Sequence, residues 1–177
     1  RVISFFTDFG LGAALVQKKE DLKQADITTS FTIQAGITLI IFLLVLIFLS
    51  PLAIIFRLNT DAQRLLLVLV FTIFLSSFKT IPSILLERTL NFGRLVFPQI
   101  IESLTFNGIL VALVIGGYGI ESFTWAFLIS SLVGIPFYYF VSPWKMRIGI
   151  DRESLVYLKY GLQFQAKNVL ATLKDDL

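Results

Sequence analysis

Lys79, Glu87, Arg88, Arg94 and Glu102 are charged residues in or beside stretches that are otherwise apolar. In hydrocarbon an ionisable side chain costs about 2.5–3.5 kcal/mol at mid-span on insertion scales, so such residues face water, a partner helix or an interface. Thr72, Ser76, Thr80, Ser83 and Glu87 recur at steps of three and four, which places them on one helix face with Lys79 flanking it. Asn91, Arg94, Glu102 and Thr105 share a face of the next helix, with Pro98 on it. Consecutive antiparallel helices with facing polar stripes predict one crevice, holding Lys79, Arg88 and Arg94 against Glu87 and Glu102. A hydrated, net-basic crevice suits an anionic headgroup such as a phosphate or pyrophosphate.

Each of these residues also has a plainer reading. Arg88 and Arg94 fall where a cytoplasmic connection is expected, so both also fit as charges anchoring a helix end. Lys79 lies about 21 Å along its helix from Leu65 at 1.5 Å per residue, within snorkelling reach of the same surface. Thr and Ser in a span often bond back to their own helix or hold neighbouring helices together. Glu102 is the hardest to explain this way, since it stands about two turns beyond Arg94 in apolar sequence.

The elements that must position these residues follow from composition. The chain of 177 residues is 56% hydrophobic and 15% charged, with a mean hydropathy of +0.83. A soluble domain carries about 25% charged residues, so this chain cannot cover a water-facing globule. Residues 27–56, 65–78, 103–120 and 122–144 carry no charge. Crossing a hydrocarbon core of about 30 Å takes roughly 20 apolar residues in a helix. The expected architecture is an all-α, polytopic transmembrane helical bundle. Its five spans are expected at about 2–16, 31–56, 65–86, 95–115 and 123–141, and 153–177 should begin a more polar helix. Gly116-Gly117-Tyr118-Gly119 is a turn signal between the fourth and fifth spans.

Basic residues set the orientation. Alternate connections hold Lys18, Lys19, Lys23, Arg88, Arg94, Lys145, Arg147 and Arg152 on one side, against Arg57 and Arg64 on the other. Eight against two predicts that the first set is cytoplasmic. Trp125 and Trp144 stand near the two ends of the fifth span, where indole rings favour headgroups. The chain starts at Arg1 within apolar sequence and stops at Lys174-Asp175-Asp176-Leu177 inside a helix, so both ends are expected to be truncations.

Two more charged residues have ambiguous settings. Asp8 sits six residues into the first span, either in a cavity wall or near the outer interface. Lys167 lies with Gln163, Gln165 and Asn168 in a helix that is either amphipathic or has a polar side lining a cavity.

With no Cys and no His, the usual zinc sites, Cys or His nucleophiles and the neutral-pH proton shuttle are removed. No glycine loop with Lys cradles a phosphate, and Gly10-Leu11-Gly12 lacks the third glycine of a dinucleotide fingerprint. The expectation is a protein that is not an enzyme, needs no cofactor or metal and does not bind nucleic acid.

Asp8-Phe9-Gly10-Leu11-Gly12-Ala13-Ala14-Leu15-Val16-Gln17, followed by a polar loop and a long apolar span, resembles the second and third helices of the polysaccharide flippase family. These are oligosaccharide-lipid exporters of the multidrug/oligosaccharidyl-lipid/polysaccharide superfamily. The run from Ile81-Pro82-Ser83 through Glu87-Arg88-Thr89-Leu90-Asn91-Phe92-Gly93-Arg94-Leu95 is similar to the family's junction between helices four and five. Tyr160-Gly161-Leu162 and the closing Lys174 to Leu177 look like its seventh helix.

The resemblance covers most of the chain and implies the first lobe of a two-lobe flippase-type transporter. It implies alternating access for a polyprenyl-pyrophosphate-linked glycan in surface polysaccharide biosynthesis, at a bacterial inner membrane. Lys79, Arg88 and Arg94 become the phosphate-facing candidates, with Asp8, Thr80, Glu87, Glu102 and Lys167 as polar cavity lining. Implied partners are the lipid-linked oligosaccharide, membrane lipids, and a polysaccharide polymerase or other assembly proteins. A cation-coupled drug antiporter of the same superfamily predicts a cavity dominated by acids, and a membrane scaffold predicts no need for the cavity charges.

Overall fold

The computed structural model describes Gly12, Leu15, Val16, Lys18 and residues 21–156. Most of the expected first span, with Asp8, and the segment from 157 onward, with Lys167, lie outside the described residues. Among the described residues the main helices are, in order, α1 Gln24–Ile47, α2 Leu49–Ile55, α3 Thr60–Arg88, α4 Phe92–Ile115 and α5 Glu121–Val141. Among the described residues there is no strand. α1, α3, α4 and α5 are each long and apolar enough to cross a membrane. The chain is an all-α polytopic helical bundle.

Burial is inverted relative to a water-soluble fold. On α1, Thr29, Ser30 and Gln34 are fully buried, whereas Ile40 and Ile47 are 58% and 70% exposed. α4 likewise turns Leu104, Val111 and Ile115 outward. Helices that hide hydroxyls and amides while presenting aliphatic side chains are built for lipid, where polar groups must find partners within the protein.

Helix boundaries follow local chemistry. The second span is expected to start near residue 31, but α1 begins at Gln24. Asp26 explains the difference. Its Oδ2 accepts the backbone N–H of Lys23 at 2.9 Å and pairs with Lys18 Nζ at 2.7 Å. A carboxylate in a first turn satisfies free N–H groups and meets the positive end of the helix dipole.

α1 ends at Phe48, three residues before Pro51, which has no N–H to continue the ladder. α3 opens on an Asn59 side chain that accepts from Ala62 N at 2.9 Å, and it carries Asp61 in its first turn and Arg88 in its last. Gly117 and Gly119 take φ of +82° and +56° in the α4–α5 turn, which is why that glycine run marks it.

α5 packs along both α3 and α4, and α1 packs along α3. α3 and α4 are consecutive, yet they touch each other sparsely. They splay around α5 and leave a wedge between them. The packed clusters lie toward one end: Leu15, Ile27, Phe31, Ile81 and Ile84 with Trp144 beside them, and Leu86, Leu95 and Tyr138.

Candidate functional site

The wedge holds the first of the expected contacts. Lys79 on α3 and Glu102 on α4 meet at 2.5 Å between Nζ and Oε1, with side chains only 12% and 23% exposed. Their pairing gives each ion a partner that lipid cannot supply. Beside them a cavity of about 430 Å³ is lined by Thr72 and Ser76 of α3, Gln99 and Ser103 of α4, and Ser130 and Ser131 of α5. Phe106 and Phe127 close one side, their rings 4.8 Å apart.

The small residues of α5 have a specific reason to be there. A Cβ at Gly134 would stand 3.0 Å from both Cδ and Oε2 of Glu102. Glycine lets the carboxylate rest on the helix backbone, so the acid reaches Lys79 across the surface of α5. Tyr138, one turn further, is buried beside Ser83 and Gln99 and extends the polar seam toward Glu87. Glu87 is half-buried in the last turn of α3.

Several hydroxyls in the wall have already committed their protons. Thr72 donates to Leu69 O at 2.8 Å, Ser76 to Ile73 O at 2.6 Å and Ser130 to Phe127 O at 3.2 Å. What these oxygens offer the cavity is lone pairs. A wall of hydroxyl acceptors, an amide and a neutralised ion pair suits a ligand rich in hydroxyl donors. A bare anion gains Lys79 here only by displacing Glu102.

The crevice expected from spacing is therefore brought together in part. Lys79 and Glu102 meet as expected. Thr80 turns the other way: its hydroxyl accepts Gln34 Nε2 of α1 at 3.0 Å and donates to Ser76 O at 3.2 Å. It is a helix contact, because a face of α3 as broad as this stripe is shared between α1 and the wedge. Arg88 also leaves the crevice and donates to the carbonyls of Leu15 and Lys18 at 3.0 and 2.7 Å. A cation capping exposed carbonyls fits the anchoring reading of that residue. Arg94 is exposed in the first turn of α4 and lies by a separate cleft with Gly93, Phe97, Phe140 and Val141.

A second polar cluster at the same end of the bundle had no counterpart in the sequence reading. The segment following α5 lies along the start of α1: Gly149 N donates to Thr32 Oγ1 at 3.0 Å, Asp151 N to Thr29 Oγ1 at 2.9 Å, and Gln24 Nε2 to Lys145 O at 3.2 Å. Asp26, buried, sits at the junction. The Ser154 hydroxyl lies 2.9 Å from Asp26 Oδ1 and 3.0 Å from Asp151 Oδ2, one proton between two carboxylates. Asp151 also accepts the Ser154 amide at 3.0 Å. That amide, followed by the hydroxyl, holds the Asp151 carboxyl below the usual carboxylate range. Asp151-Arg152-Glu153-Ser154 carries a helix-cap signal in sequence. The pairing with Asp26 does not, since it joins residues 128 positions apart.

A family model described as a polysaccharide biosynthesis protein matches residues 1–177. No curated protein and no solved structure matches the chain.

Proposed function

The chain belongs to the polysaccharide biosynthesis protein family, and on that premise we propose that it is the first lobe of a flippase that moves a lipid-linked oligosaccharide across a bacterial inner membrane. The protein has a role in polysaccharide biosynthesis. In this reading it performs no covalent chemistry and supplies a passage for a glycan carried on a polyprenyl pyrophosphate. The cargo comes from the cytoplasmic leaflet and is handed to polymerase and assembly proteins on the other side.

The observation that carries the reading is the polar wedge between α3 and α4. It has a volume of about 430 Å³ and lies within spans whose outer faces are apolar. Sugar hydroxyls find acceptors in Thr72, Ser76 and Ser130, and Phe106 offers a ring face of the kind on which sugar C–H groups pack. Lys79 and Glu102 form a switchable pair: an incoming pyrophosphate competes with Glu102 for the ammonium group, and release restores the pair. Pro82 and Pro98 interrupt the backbone ladders of α3 and α4 beside this pair, where lobe rocking needs compliance.

Reconstituting the complete protein into vesicles with a fluorescent lipid-linked glycan tests the reading directly. Glycan should become accessible to an added glycosidase in the opposite leaflet, and Lys79→Gln should slow its appearance about tenfold or more. Equal rates in protein-free and protein-containing vesicles would contradict it.

A further inference from the structure

Of the three basic residues expected in the crevice, Arg94 is the one without a hydrogen bond or ion pair among the described residues. It sits in the first turn of α4, at the end of the bundle that also carries Arg88, Lys145, Arg147 and Arg152. Beside it is a cavity of about 500 Å³ lined by Gly93, Arg94, Phe97, Phe140 and Val141. Phe140 is 81% exposed and Phe97 47% exposed, so the aromatic walls open outward. A Cβ placed on Gly93 would meet nothing within 4 Å, so the cleft wall is open at that position. Glu102 lies eight residues further along α4, about 12 Å of helix axis. Arg94 therefore belongs to a different compartment from the Lys79–Glu102 wedge.

We propose that this cleft binds an anionic phospholipid, with the phosphodiester on the Arg94 guanidinium and one acyl chain lying along Phe97 and Phe140. Two chemistries meet here, and the ligand must match both. A guanidinium offers paired N–H donors in the planar geometry that phosphate oxygens accept. The ring faces beside it form an apolar trough at the edge of two membrane-spanning helices. The ligand is thus an amphiphile with a phosphate head. One cation balances the single negative charge of a phosphodiester, whereas a pyrophosphate brings at least two. Basic residues at one end of a membrane protein also face the leaflet richest in anionic lipids. The proposal is independent of transport and stands if the flippase reading fails.

The test is native mass spectrometry of the complete purified protein with defined phosphatidylglycerol or phosphatidylcholine added. The expected result is one tightly held phosphatidylglycerol, weakened about tenfold by Arg94→Gln, the loss of one charge-assisted phosphate contact. Gly93→Leu should weaken it similarly, because it fills the trough in a helical position that favours leucine over glycine. Arg94→Lys should fall between, and phosphatidylcholine should bind weakly throughout. Unchanged phosphatidylglycerol binding in both Arg94→Gln and Gly93→Leu overturns the proposal. So does failure of the wild-type protein to hold the lipid, which would mean that another part of the protein covers the cleft. Displacement of the lipid by equimolar polyprenyl phosphate, with Arg94→Gln abolishing glycan transport in vesicles lacking phosphatidylglycerol, would assign the cleft to the cargo instead.

Discussion

The carboxylate of Glu102 rests against Gly134, where an added Cβ would stand 3.0 Å from Cδ and Oε2. The contact joins two helices and fixes how an acid within a membrane span meets its lysine. Gly134→Ala should therefore act on the ion pair before it acts on the fold, since the atoms it meets are the end of a flexible side chain. The expected result is a stability loss of about 1 kcal/mol, in the usual range for a point substitution, with transport reduced several-fold. Thermal unfolding in detergent and the vesicle assay would be read side by side. Wild-type transport in Gly134→Ala would show that the position of Glu102 is irrelevant.

Lys79 and Glu102 should be strongly coupled in a double-mutant cycle. Removing either partner leaves a buried charge without compensation, which costs about 3–5 kcal/mol, whereas removing both is often nearly neutral. Lys79→Gln and Glu102→Gln should each lower the unfolding temperature, and the double variant should recover most of it. Transport should not recover, because the cation that competes for phosphate is gone. Additive single effects would refute the pairing.

Asp151 gives the end of the bundle that carries Lys18 and Asp26 a dependence on pH. Its carboxyl is held low in the folded state by the Ser154 amide and hydroxyl. A lowered folded value means that the contribution is fully present above the unfolded carboxylate value, and it is lost as pH falls through the folded one. Protection of the Ser154 amide from hydrogen exchange, taken relative to the intrinsic rate at each pH, should be high at neutral pH and fall in acid. Asp151→Asn should remove most of that acid step. An identical pH profile in the variant would contradict the assignment.

Leu90 closes α3 with φ of +54°, a left-handed conformation that a leucine adopts at a cost of about 1–2 kcal/mol. It is 73% exposed, so little packing is lost on replacement. Leu90→Gly should raise the unfolding temperature by a few degrees, and Leu90→Val should lower it. A lower temperature for the glycine variant would mean that the side chain matters more than the backbone.

How much of this was legible depends on the range of the interaction. The expected spans 65–86, 95–115 and 123–141 lie inside the helices α3, α4 and α5, because lipid demands an apolar run of fixed length. α1 begins before the expected start of the second span, because Gln24 to Ser30 reads as part of a polar loop, whereas Asp26 and Thr29 are buried and bond to the segment after α5. Helical spacing put Lys79 near Glu102. It could not separate Thr80 from them, because periodicity gives an angle around one helix and not the identity of the neighbour. Arg88 and Arg94 left the crevice for the same reason: each lies in a terminal turn, where the exposed carbonyls of Leu15 and Lys18 or an open cleft are closer.

In the proposed flippase the wedge between α3 and α4 is a water-filled compartment that the cargo enters. Ser103→Cys, in a cysteine-free version of the complete protein, tests it most directly, with the lipid-facing Leu104→Cys as its control. A water-soluble maleimide should label position 103 and leave 104 unmodified, and lipid-linked glycan should slow labelling at 103. Labelling at neither position, or labelling at 103 that the glycan leaves unchanged, would contradict the account.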